Sequence, residues 1–252
     1  MNLDYDRGGE GPRLLVLLHG LGATRQVWEP LLSDAKRHWQ GSWIAPDLRG
    51  HGRSAWATSY ALGLHASDVA DLITDAEKWS EIVVLGHSMG GAIALALCSG
   101  WFGVAPARAF GLGIKVAWSE EELEHLRKLS AAPIRTFATK EAAIERYLRV
   151  SGLVGLAATT SSLAEAGVTT NNEGWCLAAD PAAASVGAPP MAAMLATAKC
   201  PVHLARGEKD VMVSHDQLTE FDRNTVSLPA LGHNAMVEDP DAVWRWLHER
   251  LA

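Results

Sequence analysis

No stretch of the chain holds the roughly 18 consecutive apolar residues that a membrane-spanning helix needs. Basic charge is scarce and scattered: 22 Lys and Arg face 29 Asp and Glu, for a formal net charge of −7. A nucleic-acid surface needs grouped positive charge, so no nucleic-acid partner is expected. The N-terminus, MNLDYDRGGEG, carries early acids and no apolar centre, which is not the pattern of a secretory leader. Cysteine is rare. Cys98, Cys176 and Cys200 lie far apart, lack metal-ligand spacing and are odd in number, so reduced, mostly buried thiols of a cytoplasmic protein are expected, with no metal. Tyrosine (3) and phenylalanine (4) are few beside ten tryptophans, a ratio that says nothing decisive about a ligand.

What is present is an ordinary globular balance. At 48% hydrophobic and 20% charged, 252 residues suffice for one large domain, or one domain with a sizeable insertion. Short apolar runs bounded by turn residues predict buried strands at LLVLLHG (14–20), SWIAPD (42–47), EIVVLG (81–86), PVHLARG (201–207) and TVSLP (225–229). AFGLGIKVAW (109–118) predicts a further strand despite its glycines. Helical patterns at 64–79, 90–99 and 241–251 alternate with these runs. Such alternation implies an α/β fold: a mostly parallel central sheet with helices on both faces, and ligands at the carboxyl ends of its strands.

From 119 to 190 the rhythm changes. SEEELEHLRKLS and TKEAAIERYLRV are helical, the first opening with Ser119 and Glu122 at capping-box spacing, and an alanine-rich region follows. No strand is evident there. The expectation is a helical insertion at 119–190 within one core made of 1–118 and 191–252.

Gly86-His87-Ser88-Met89-Gly90 sits between a predicted strand and a predicted helix. A serine on so sharp a turn needs strained dihedrals, and flanking glycines remove the side chains that would clash. The turn lifts the hydroxyl off the sheet edge and aims a helix N-terminus at it, which favours a developing anion. A hydroxyl becomes a nucleophile only when a base takes its proton, and the base needs an orienting acid. His233, in LGHNAM, and Asp210, in RGEKDVM, each follow a predicted strand and emerge at the same edge; Asp216 and Glu208 are the alternatives for the acid. Oxyanion donors are expected at the backbone N–H of Met89 and, from HGLGA (19–23), of Leu21. His87 is expected to shape the turn, His19 to open the glycine loop and His51 to pack a loop.

The pieces HGLGATRQVW, PDLRGHGRS, GHSMGG, RGEKD and GHNAMVEDP, in this order and spacing, resemble the α/β-hydrolase superfamily over nearly the whole chain. The resemblance implies Ser88 as nucleophile, Asp210 as acid, His233 as base, Leu21 and Met89 as oxyanion donors, and a helical cap at 119–190. NEGWCLAADPAA (172–183) is similar to the segment that returns from such a cap. The short N-terminus implies that the first one or two strands of the family are reduced to a hairpin or missing. Asp47, with Arg49 and Arg53 nearby, is then structural. The implied activity is hydrolysis of small or medium uncharged carboxylic esters without metal or organic cofactor. The alternatives are a carbon–carbon bond hydrolase, a lactonase, or a small-molecule receptor with slow turnover. Trp28, Trp118, Met191, Met194, Met212 and Asn234 are the candidate pocket residues.

Overall fold

The computed structural model describes residues 1–73 and 78–251. The described strands are β1 (Tyr5–Gly9), β2 (Arg13–Leu18), β3 (Ser42–Pro46), β4 (Glu81–His87), β5 (Arg108–Leu112), β6 (Val168–Asn171), β7 (Gly174–Leu177), β8 (Val202–Gly207) and β9 (Val226–Leu228). Seven of them form one sheet in the order β1-β3-β2-β4-β5-β8-β9. All neighbours are parallel except β1, which runs antiparallel to β3 with Tyr5 opposite Pro46.

The central strands read as unbroken apolar runs because both of their faces are covered. In β2 and β4, Leu14, Val16, Leu18, Ile82 and Val84 pack with Val69, Ile93 and Leu97 on one side. Their alternates Leu15, Leu17, Val83 and Leu85 pack with Val27, Trp28, Leu31, Trp244 and Leu247 on the other. The first layer is supplied by the helices Leu62–Leu72 and Met89–Cys98, and the second by the helix Pro240–Leu251 and the short turns near Trp28. No helix among the described residues is long and apolar enough to cross a membrane.

Sequence expectations change in the bounds of one strand and one helix, and at the N-terminus one of two alternatives drops out. The run 109–118 is a strand only to Leu112, because Gly113 turns the chain at φ +62°. Ile114 stays buried after that turn, which is why the hydrophobic run continues where the strand does not. The helix expected at 64–79 is formed over Leu62–Leu72, and the part of that expectation at 74–77 lies outside the described residues. At the N-terminus, where the expectation is a hairpin or missing strands, a single strand precedes β2 and β3 lies between the two, so only the hairpin alternative drops out.

The residues between β5 and β8 form the helices Glu120–Ser130, Lys140–Val150, Ser162–Ala166 and Met191–Ala196. The Ser119 capping box is in place: the Glu122 N–H donates to Ser119 Oγ at 3.2 Å and the Ser119 N–H to Glu122 Oε2 at 2.8 Å. The expectation of a strandless segment is wrong. β6 and β7 pair as an antiparallel hairpin with Val168 opposite Leu177, and Phe137 bridges to Trp175 as a third strand-like segment. The hairpin turns at Asn171, whose Oδ1 accepts the Glu173 N–H, and at Gly174, with φ +140°. Ala143, Ile144, Tyr147, Leu148, Leu163 and Ala164 join the apolar cluster of Val27 and Trp28, so this segment shares the core of the sheet.

Candidate active site

β4 ends at His87 and the next helix begins at Met89, so Ser88 occupies the junction alone. Its φ of 51° and ψ of −117° are strained for any residue with a Cβ. The Ser88 N–H donates to the Leu112 carbonyl at 2.9 Å, and the Ser88 carbonyl accepts from the Gly91 N–H at 2.9 Å. Backbones approach too closely here for side chains. A Cβ on Gly86 would stand 2.1 Å from the Gly90 carbonyl oxygen, and one on Gly90 would stand 2.1 Å from that of Leu18.

Asp210 and His233 come together from the loops after β8 and β9. His233 Nδ1 lies 2.8 Å from Asp210 Oδ2, and the other carboxylate oxygen accepts the Met212 N–H at 2.8 Å. Burial works against the Asp210 charge, but the hydrogen bond and charge of His233, helped by the Met212 N–H, hold its pKa below the ordinary carboxylate value. With Nδ1–H turned to the carboxylate, the lone pair of His233 resides on Nε2. Arg206 secures the loop, donating through Nη2 to the Asp210 carbonyl at 2.8 Å and through Nε to that of Val213 at 3.0 Å. Of the alternative acids, Glu208 accepts the Ala230 N–H, and Asp216 lies in the first turn of the helix His215–Phe221.

Residues 15–246 match the alpha/beta hydrolase family. The chain belongs to that family. Over 92 residues it is 36% identical to the lipase LipV of Mycobacterium tuberculosis, an alignment covering 36% of this chain and 34% of LipV. The match thus spans about a third of that relative's length. The crystal structure of E-2-(acetamidomethylene)succinate hydrolase superposes with a TM-score of 0.81 at 22% identity, covering 98% of this chain and 94% of the other. A thermophilic esterase from Thermogutta terrifontis gives a TM-score of 0.73 at 22% identity, covering 99% and 92%.

In this alpha/beta hydrolase the glycine loop after β2 passes directly over Ser88. A Cβ on Gly20 would lie 3.1 Å from Ser88 Cβ and 3.0 Å from His87 Nδ1. Two buried histidines brace the loop. His19 bonds through Nδ1 to the Gly20 carbonyl at 2.8 Å and accepts the Leu48 N–H at Nε2. His51 bonds through Nδ1 to the Arg49 carbonyl and accepts the Gly22 N–H at Nε2, 3.0 Å away. Each ring therefore uses one donor and one acceptor, the pattern of a neutral imidazole. Burial lowers both pKa values, that of His51 to about 4. The Leu21 N–H has no partner among the described residues, and the Met89 N–H, at the start of its helix, has no intrahelical acceptor. Asp47 is structural, accepting the N–H groups of Arg25 and Arg53, while Arg49 pairs with Asp68 at 2.6 and 2.8 Å.

The sequence missed two ties. His87 does more than shape the turn: its Nε2–H donates to the His233 carbonyl at 2.9 Å, with the two rings 4.6 Å apart. Asn234, expected in the pocket, donates through Nδ2 to the Ser151 and Gly152 carbonyls at 3.0 and 3.1 Å, joining the His233 loop to the segment between β5 and β8. Among the other pocket candidates, Trp28 is sealed in the core and Met191 is buried against Ile114 and Leu204. Trp118 and Met194 are half-buried beside that cluster. Met212 is 56% exposed and lines a cleft of about 400 Å³ with Lys115, Glu122 and His215.

Proposed function

We propose that this chain is a serine hydrolase that cleaves small or medium uncharged carboxylic esters through an acyl-enzyme intermediate. The observation carrying the proposal is the strained, glycine-enclosed Ser88 at the carboxyl edge of the sheet, where the bonded His233–Asp210 pair also emerges. His233 Nε2 removes the Ser88 proton as the oxygen attacks the ester carbonyl. The Leu21 and Met89 N–H groups receive the oxyanion, each worth about 10²–10³ in rate. The alcohol departs with the proton from His233, and a water activated by the same ring then releases the acid. Residues 119–190 serve as a cap, which its tie to Asn234 supports. The esterase and lipase among the similar proteins support ester substrates.

The test is steady-state hydrolysis of p-nitrophenyl esters of increasing acyl length. A fluorophosphonate should label Ser88, read by peptide mass. Negligible turnover on every ester by folded protein would reject the ester assignment. The acid is tested separately. Asp210→Asn is expected to lower kcat by about 10³–10⁴ by favouring the wrong His233 tautomer, whereas Asp216→Asn leaves it unchanged. The opposite pattern would reassign the acid.

A further inference from the structure

Cys98 and Cys200 stand 102 positions apart in the chain, yet their sulfurs are 3.1 Å from one another. Far from being isolated, as their spacing in sequence suggests, they are neighbours. Cys98 is the last residue of the helix that starts after Ser88, and Cys200 lies two residues before β8. The backbones are fixed in that position: the Lys199 N–H donates to the Cys98 carbonyl at 2.8 Å. Both thiols are free, and the ester chemistry uses neither.

We propose that Cys98 and Cys200 are a disulfide-forming pair, oxidised reversibly by a low-molecular-weight disulfide such as glutathione disulfide. The two thiols differ in a way that sets the order of events. Cys98 is 2% exposed, whereas Cys200 is half-buried and meets solvent. Contact with Cys200, and then burial, push the Cys98 pKa up, while the hydrogen bond with Cys98 holds that of Cys200 below its ordinary value. Cys200 is therefore the attacking thiol.

Its thiolate, having released a proton to solvent, attacks one sulfur of glutathione disulfide. A Cys200–glutathione bond forms and one glutathione leaves as thiolate. Cys98 then loses its proton and attacks the Cys200 sulfur, and the second glutathione leaves. Two protein thiols are oxidised by two electrons, and one glutathione disulfide is reduced to two glutathiones. Reaching the disulfide bond length requires the sulfurs to close by about 1 Å. The product closes a loop that contains β5 and the whole segment before β8, so it restricts the unfolded chain strongly.

The experiment equilibrates reduced protein with glutathione–glutathione disulfide mixtures, quenches with acid, and maps peptides under non-reducing conditions. A Cys98–Cys200 cross-linked peptide is expected, with Cys176, buried in β7, remaining a free thiol. The oxidised protein should melt higher by about 5–10 °C, and dithiothreitol should reverse the gain. In Cys98→Ser the reaction should stop at a glutathione adduct on Cys200. Three free thiols under oxidising conditions, or a persistent Cys200 adduct in the unsubstituted protein, would overturn the proposal, and neither reading depends on ester hydrolysis.

Discussion

Replacing Ser88 with glycine is expected to abolish ester hydrolysis while making the fold more stable. The serine is held at φ 51° and ψ −117°, a conformation that costs a residue with a Cβ about 1–3 kcal/mol. Glycine adopts it freely but is also freer when unfolded, so the expected net gain is about 1 kcal/mol. Alanine keeps the Cβ and therefore the strain, so Ser88→Ala should lose activity without gaining stability. For both, kcat/KM on a p-nitrophenyl ester should fall by a factor on the order of 10⁴–10⁶. Urea midpoints and initial rates on the three proteins separate the effects. An active Ser88→Ala would move the nucleophile elsewhere, and equal midpoints for all three would show that the turn is not strained.

Acid should unfold this protein early. His19, His51, His65 and His87 are all buried, and desolvation is the largest cause lowering each pKa, to about 4 for His51 and about 3 for His65 and His87. These rings are neutral in the folded state, whereas in the unfolded chain they take up protons below about pH 6.5. Stability is thus complete above 6.5 and is lost as pH falls from there toward the folded values. Each proton contributes about 1.4 kcal/mol per pH unit, so the four together reach on the order of 5 kcal/mol per unit. Total stabilities are only about 5–15 kcal/mol, so this loss dominates. Denaturant midpoints at pH 7.0 and 5.5 measure it. Neither His65 nitrogen has a hydrogen-bond partner among the described residues, so His65→Leu should remove about a quarter of the slope without breaking a bond. A stability that does not change between these pH values would refute the argument.

The sheet was legible because burial on two faces leaves its mark residue by residue: β2 and β4 are continuous apolar runs wherever they lie in space. The turn at Ser88 was legible because local backbone crowding demands glycine at fixed neighbours. The bond from His87 to the His233 carbonyl, the Asn234 tie and the Cys98–Cys200 contact join segments far apart in the chain and impose no period on either one. The hairpin of β6 and β7 escaped for a different reason. Its strands have four residues each, too few for alternation to stand out beside alanine-rich neighbours.

The order of the sheet bears on how quickly the chain can begin to work. Gly20, Ser88, Asp210 and His233 follow β2, β4, β8 and β9, which meet only through parallel pairings with long crossovers. Contacts of such sequence separation form slowly, because the closure entropy comes before the reward. The helices and the β2–β4 pair can be assembled while the site is still two pieces. Pairing of β8 with β5 joins the two pieces and β9 beside β8 adds His233, so the return of ester hydrolysis during refolding is expected to lag behind the collapse that precedes it.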